Sequence, residues 1–175
     1  MGTEILYVGL RIPDERRAID EEDDPSAALL AWLCARELAG ELPPRVDVDE
    51  VLKRPPTSEE SDFGRYIYAR DRDGWRPLQT LCAAPGVDLI HNTRGQHEWG
   101  YGGHGPGDAA FSLIIDVVGA AVRGAALGWI DSFVARLGRD EEWSLGAADI
   151  ARAMERPLSP LPRRRRMRWP RLARR

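Results

Sequence analysis

The sequence predicts an α+β fold: a small antiparallel sheet, then a glycine loop, then two to three packed helices. Three observations predict it. Arg65 to Arg70 has strand-like alternation and runs into Asp73-Gly74, a tight-turn dipeptide, so that Trp75 to Cys82 can return as the second strand of a hairpin. Phe111, Ile114, Ile115, Val118 and Val122 recur at helical spacing, with Asp108, Ser112, Asp116 and Arg123 on the other side. Between them lies a glycine-dense block, Gly100 to Gly107, whose composition favours a tight loop over a strand or helix interior.

In chain order, Glu4 to Leu10 is rich in β-branched and aromatic residues and reads as a short strand that Pro13 and the following charges end. The acidic run Asp20 to Asp24 leads into a helix over residues 25–39. Asp24 suits the N-cap, Pro25 the first turn, Leu29, Trp32 and Leu33 form an apolar face, and Gly40 supplies the stop. The acids suit the positive end of that helix. Val46 to Leu52 is too short to assign, and Arg54 to Asp62 is polar, proline-containing and aperiodic, which reads as a linker. After the hairpin, Val87 to Ile90 can add a third strand before a long polar loop. A helix is expected from near Gly107, with Pro106 in its first turn. Gly124 and Gly128 loosen the periodicity, Trp129, Phe133, Val134 and Leu137 restart it, and Gly138 closes it. Ala147 to Glu155 reads as a last helix, ended by Pro157.

At 175 residues, 43% of them apolar and 30% charged, the chain has the length and composition of one soluble domain with appendages. The net charge of -3 hides a polarised layout: residues 1–62 hold 16 acidic and 7 basic side chains, residues 63–156 hold 12 and 10, and residues 157–175 hold none and 8. This divides the chain into an acidic N-terminal extension with a short strand and one helix (1–62), an α+β core (63–156) and a disordered Arg-rich tail (157–175). Cys34 and Cys82 have neither disulfide-framework nor zinc-ligand spacing, and no signal-peptide pattern opens the chain, so a cytoplasmic location is expected. Ala109 to Ile130 has membrane-spanning length, but Asp116 and Arg123 within it favour a buried helix, and no membrane partner is expected.

The glycine block carries two readings. Trp99, Gly100, Tyr101, Gly102, Gly103, His104 and Gly105 can form a loop that seats the following helix under the two aromatic rings. Alternatively, their free amides at a helix N-terminus can hold an anion such as the phosphate of a small ligand. Gly100, Gly102 and Gly105 satisfy G-x-G-x-x-G. Yet Gln96-His97-Glu98 precede them where a buried strand is needed, and helix follows helix, which argues against a dinucleotide fold. A phosphate-binding P-loop is ruled out because no Gly-Lys-Ser/Thr exists.

Trp99-Gly-Tyr-Gly-Gly-His104-Gly-Pro106 before an apolar helix, then Phe133 to Leu137, Glu142-Trp-Ser-Leu145 and Asp149-Ile150, resembles the domain of unknown function family 6166 over about residues 63–156. In that family a W-G-Y-G-G-S-G-P block follows a small β region and precedes an aliphatic helix, a Phe-containing helix and a strand leading into a final helix. His104 stands where the family usually has Ser. The resemblance implies a bacterial, phage or plasmid accessory context and carries no activity.

His91, His97 and His104 with Glu98 lack any diagnostic metal-ligand spacing, so no metal and no cofactor is expected. His97, Glu98 and Asp108 can be imagined as an acid/base set, but sequence adjacency is poor support for one, and no nucleophile motif is present; an enzyme is the less favoured class. The tail offers Arg163, Arg164, Arg165, Arg166, Arg168 and Arg171 around Trp169, a composition suited to phosphates and to stacking on a base. The leading expectation is therefore a non-enzymatic accessory protein of mobile-element type that contacts nucleic acid or another polyanion through this tail. The alternative is an adaptor or inhibitor whose acidic N-terminal region binds a basic protein, and the third reading places a phosphorylated small ligand at the glycine loop.

Overall fold

A computed structural model describes residues 4–11, 25–55, 65–78, 97–101, 104–119 and 133–154. Four strands, β1 (Leu6–Arg11), β2 (Arg65–Asp71), β3 (Gly74–Pro77) and β4 (Trp143–Gly146), form one antiparallel sheet in the order β3-β2-β1-β4. The helices among the described residues are α1 (Pro25–Ala39), α2 (Val48–Lys53), α3 (His104–Val118) and α4 (Ala147–Met154), with a 3-10 turn at Val134–Arg136. The α+β class expected from the sequence is the class observed.

Side-chain alternation divides the sheet into two buried faces. Tyr7, Ile67, Ala69, Trp143 and Leu145 meet the larger core with Leu113 and Ile114 of α3 and Ile150 of α4, whereas Val8, Leu10 and Tyr68 meet Leu29 and Leu33 of α1. Helices thus cover both faces. Strand β1 falls in the span that the charge count placed in an N-terminal extension. It is an inner strand, paired over Leu6 to Arg11 with β2 and over Leu6 to Gly9 with β4, and α1 covers the face that it helps to build. Gly9 is required on this strand because the Trp143 indole lies against it; a Cβ there would stand 2.5 Å from the indole Nε1. The outer edge of β4 is taken by Pro44 to Val46, in parallel: Ser144 N–H donates to Pro44 O (3.1 Å) and Val46 N–H to Ser144 O (3.0 Å).

Local signals set the helix ends. Gly40, at φ 73°, closes α1 in a Schellman motif, its N–H donating to Glu37 O and that of Glu41 to Arg36 O. Asp47 caps α2 by accepting from Asp49 N–H at 2.8 Å. Asp149, in the first turn of α4, accepts from Gly146 N–H at 3.2 Å. Helix α3 starts at His104, so the end of the glycine block is helical, and it stops at Val118, short of the Val122 that the periodicity suggested. Gly119, at φ 79°, donates its N–H to Ile115 O there. Of the helix expected over Trp129 to Leu137, the described part holds the 3-10 turn at Val134–Arg136, and residues 129–132 lie outside the described residues. The third strand expected at Val87 to Ile90 and the linker beyond Pro55 lie outside the described residues.

Polar clamps bind the layers. Glu37 of α1 accepts from Trp75 Nε1 (2.7 Å) and Arg70 Nε (3.1 Å), and Arg36 pairs with Glu142 at 2.8 Å. On the other face Asp116 of α3 accepts from the Tyr7 hydroxyl and from Arg76 Nη2, both at 2.7 Å. Burial, reinforced by that carboxylate, pushes the Tyr7 phenol pKa far up, so the hydroxyl stays a donor. No helix among the described residues is long and apolar enough to cross a membrane.

Candidate functional site

The glycine block is built onto the start of β2. The side chain of Arg65 faces the same side as Ile67 and Ala69 by strand alternation, and it is 1% exposed. Its guanidinium donates through Nη1 to Trp99 O (2.5 Å) and through Nη2 to Arg139 O (2.8 Å), and it lies 5.0 Å from the centre of the Trp99 ring. Burial, with Arg11 nearby, pushes its pKa down to about 10, opposed by Glu98 and Asp140; it remains charged at neutral pH. One buried cation thus fixes two turns through their carbonyls, and its strength comes from the charge on the donor.

Trp99 is wholly buried and edge-on to Trp143, at 5.5 Å between ring centres, and its Nε1 donates to Glu141 O. Gly100 adopts φ 84° and donates its N–H to Val134 O at 3.0 Å. A Cβ at Gly100 would approach Arg139 Cα to 2.5 Å, so both conformation and space demand glycine. Tyr101 is buried, and its hydroxyl donates to the Glu98 carboxylate. That carboxylate lies directly against Gly105 in the first turn of α3, leaving no room for a Cβ. The protein's own anion therefore sits at the positive end of this helix, where a negative charge is stabilised.

His97 leads into the block. Its N–H donates to Arg65 O (2.8 Å), two residues along β2 from Ile67, whose carbonyl accepts from Leu78 N–H (2.8 Å). Chain leaves β3 at Leu78 and rejoins the same edge of β2 at His97, one ladder step further on. The His97 ring is 3% exposed and neither nitrogen has a hydrogen-bond partner. Burial pushes its pKa down to about 4, so the ring is neutral. Its nitrogens bond neither Glu98 nor Asp108, so the structure does not assemble the acid/base set imagined from sequence adjacency. No group of three or more potential metal ligands occurs among the described residues.

The structure thus draws Trp99, Gly100, Tyr101 and Gly105 together around Arg65 and Glu98. Gly102, Gly103, the His104 side chain and the tail residues Arg163 to Arg171 lie outside the described residues. Sequence reasoning missed Arg65, the centre of the arrangement, along with the receiving turn at Val134 and Arg139. Chemically, the cluster pairs both Nη groups of Arg65 and the Tyr101 hydroxyl with its own acceptors and leaves the buried Arg65 Nε without a partner, an arrangement suited to holding a helix start in place.

A separate open cleft of about 310 Å³ lies between α2 and the turn before β4, lined by Arg45, Asp47, Glu50, Arg54 and Glu141 among others. Arg54 pairs with Glu141 there at 3.0 Å, and Arg45 pairs with Glu4 and Asp149 at 2.9 and 2.8 Å.

No curated protein and no solved structure matches the chain. A family model, described as a family of unknown function (DUF6166), matches residues 61–156, from just before β2 to just beyond α4, and so takes in the glycine block with both turns that hold it. Over more than half its length, then, and through the loop at the centre of its core, the chain belongs to the DUF6166 family.

Proposed function

We propose that this protein is a non-enzymatic binding module, an accessory factor of mobile-element type acting in the cytoplasm, whose Arg-rich tail contacts nucleic acid or another polyanion. The observation that carries the reading is the state of the cations in the folded body. Arg11, Arg36, Arg45, Lys53, Arg54, Arg70, Arg72, Arg76 and Arg152 each face a carboxylate, and Arg65 is buried on carbonyls. Neutralised pairs present little net field to a polyanion. The 8 basic residues of 157–175, by contrast, have no acidic residue among them. The glycine loop is less suited to a phosphate, because the Glu98 carboxylate already lies against Gly105 and would repel a second anion.

The test is fluorescence anisotropy with labelled single- and double-stranded oligonucleotides, comparing the full chain with one ending at Glu155. The full chain should bind and the shortened one should not, and log K should fall with log salt at a slope no steeper than about -7, at roughly -0.9 per engaged cation. Equal binding by the two chains refutes the reading. Absence of binding by both shifts weight to the acidic N-terminal region as a surface for a basic protein.

A further inference from the structure

No further inference is drawn: the strongest candidate, the exposed stripe of Ala31, Cys34, Ala35 and Leu38 along the outer face of α1, is an unpartnered face of small and apolar side chains, and nothing in the structure shows what covers it.

Discussion

Acidification should destabilise this protein through His97 in particular. The folded ring is held neutral down to about pH 4, whereas an unfolded histidine titrates at 6.5. Above 6.5 the ring is neutral in both states and imposes no penalty. As pH falls from 6.5 toward 4, the unfolded chain takes up a proton that the folded chain refuses, so stability drops; below about 4 the folded ring protonates too and the loss levels off. At about 1.4 kcal/mol per pH unit the complete interval corresponds to about 3 kcal/mol, with about 2 kcal/mol already lost at pH 5. This is a sizeable share of the 5–15 kcal/mol typical of a domain. Carboxylates add their own pH dependence, so the assay is differential: urea unfolding at several pH values between 7 and 4 for the protein and for His97→Phe. The variant loses the titrating group and two buried nitrogens without partners, at the cost of some added volume. Its stability curve should be flatter by about 2 kcal/mol between pH 7 and 5. Parallel curves, or a His97 NMR titration near 6.5 in the folded protein, would refute the argument that this ring is dry.

Replacing Arg65 by Met keeps much of the side chain's bulk but strands the carbonyls of Trp99 and Arg139; a loss of about 3 kcal/mol or more is expected in urea unfolding, at about 1.5–3 kcal/mol per bond from a charged donor. A loss below 1 kcal/mol would mean that water serves those carbonyls as well. Gly100→Ala and Gly40→Ala separate conformation from space, since both glycines have positive φ but nothing lies within 4 Å of a Cβ at Gly40. The Gly40 variant should lose about 1–2 kcal/mol, and Gly100→Ala a further 1–3 kcal/mol, roughly, from overpacking against Arg139; equal thermal shifts would contradict the crowding.

Much of the local architecture was legible because its causes are local. Leu29, Leu33 and Gly40 announce α1 and the Asp73-Gly74 dipeptide marks the β2–β3 hairpin, whereas Gly119, which ends α3 by the same left-handed geometry as Gly40, is masked in the sequence by apolar spacing that runs on to Val122. The glycine block could be recognised as a unit because Trp99 to Pro106 is a contiguous string. What was illegible depends on partners far along the chain. Nothing near Arg65 says that its guanidinium turns inward, since the carbonyls it serves belong to Trp99 and Arg139. The same holds for β1, whose neighbours β2 and β4 lie far downstream, so that a charge count alone set it apart from the core. At Phe133 to Leu137, helical spacing of apolar residues is equally compatible with one tight turn, and the need to offer Val134 O to Gly100 favours the turn.

The placement of β1 has a consequence for how the chain is made. It is synthesised first among the described strands, yet one neighbour is complete only at Asp71 and the other only at Gly146. During elongation a strand carrying Tyr7, Val8 and Leu10 must wait with open edges, a state prone to wrong pairings. Closure of the sheet joins residues far apart along the chain, a feature that slows folding relative to a fold built from local contacts. The same geometry means that residues 61–156 taken alone bring β2 and β4 but not the strand that joins them. A chain limited to that span would present two unpaired edges facing one gap, and would need an equivalent of Leu6–Arg11 to fill it.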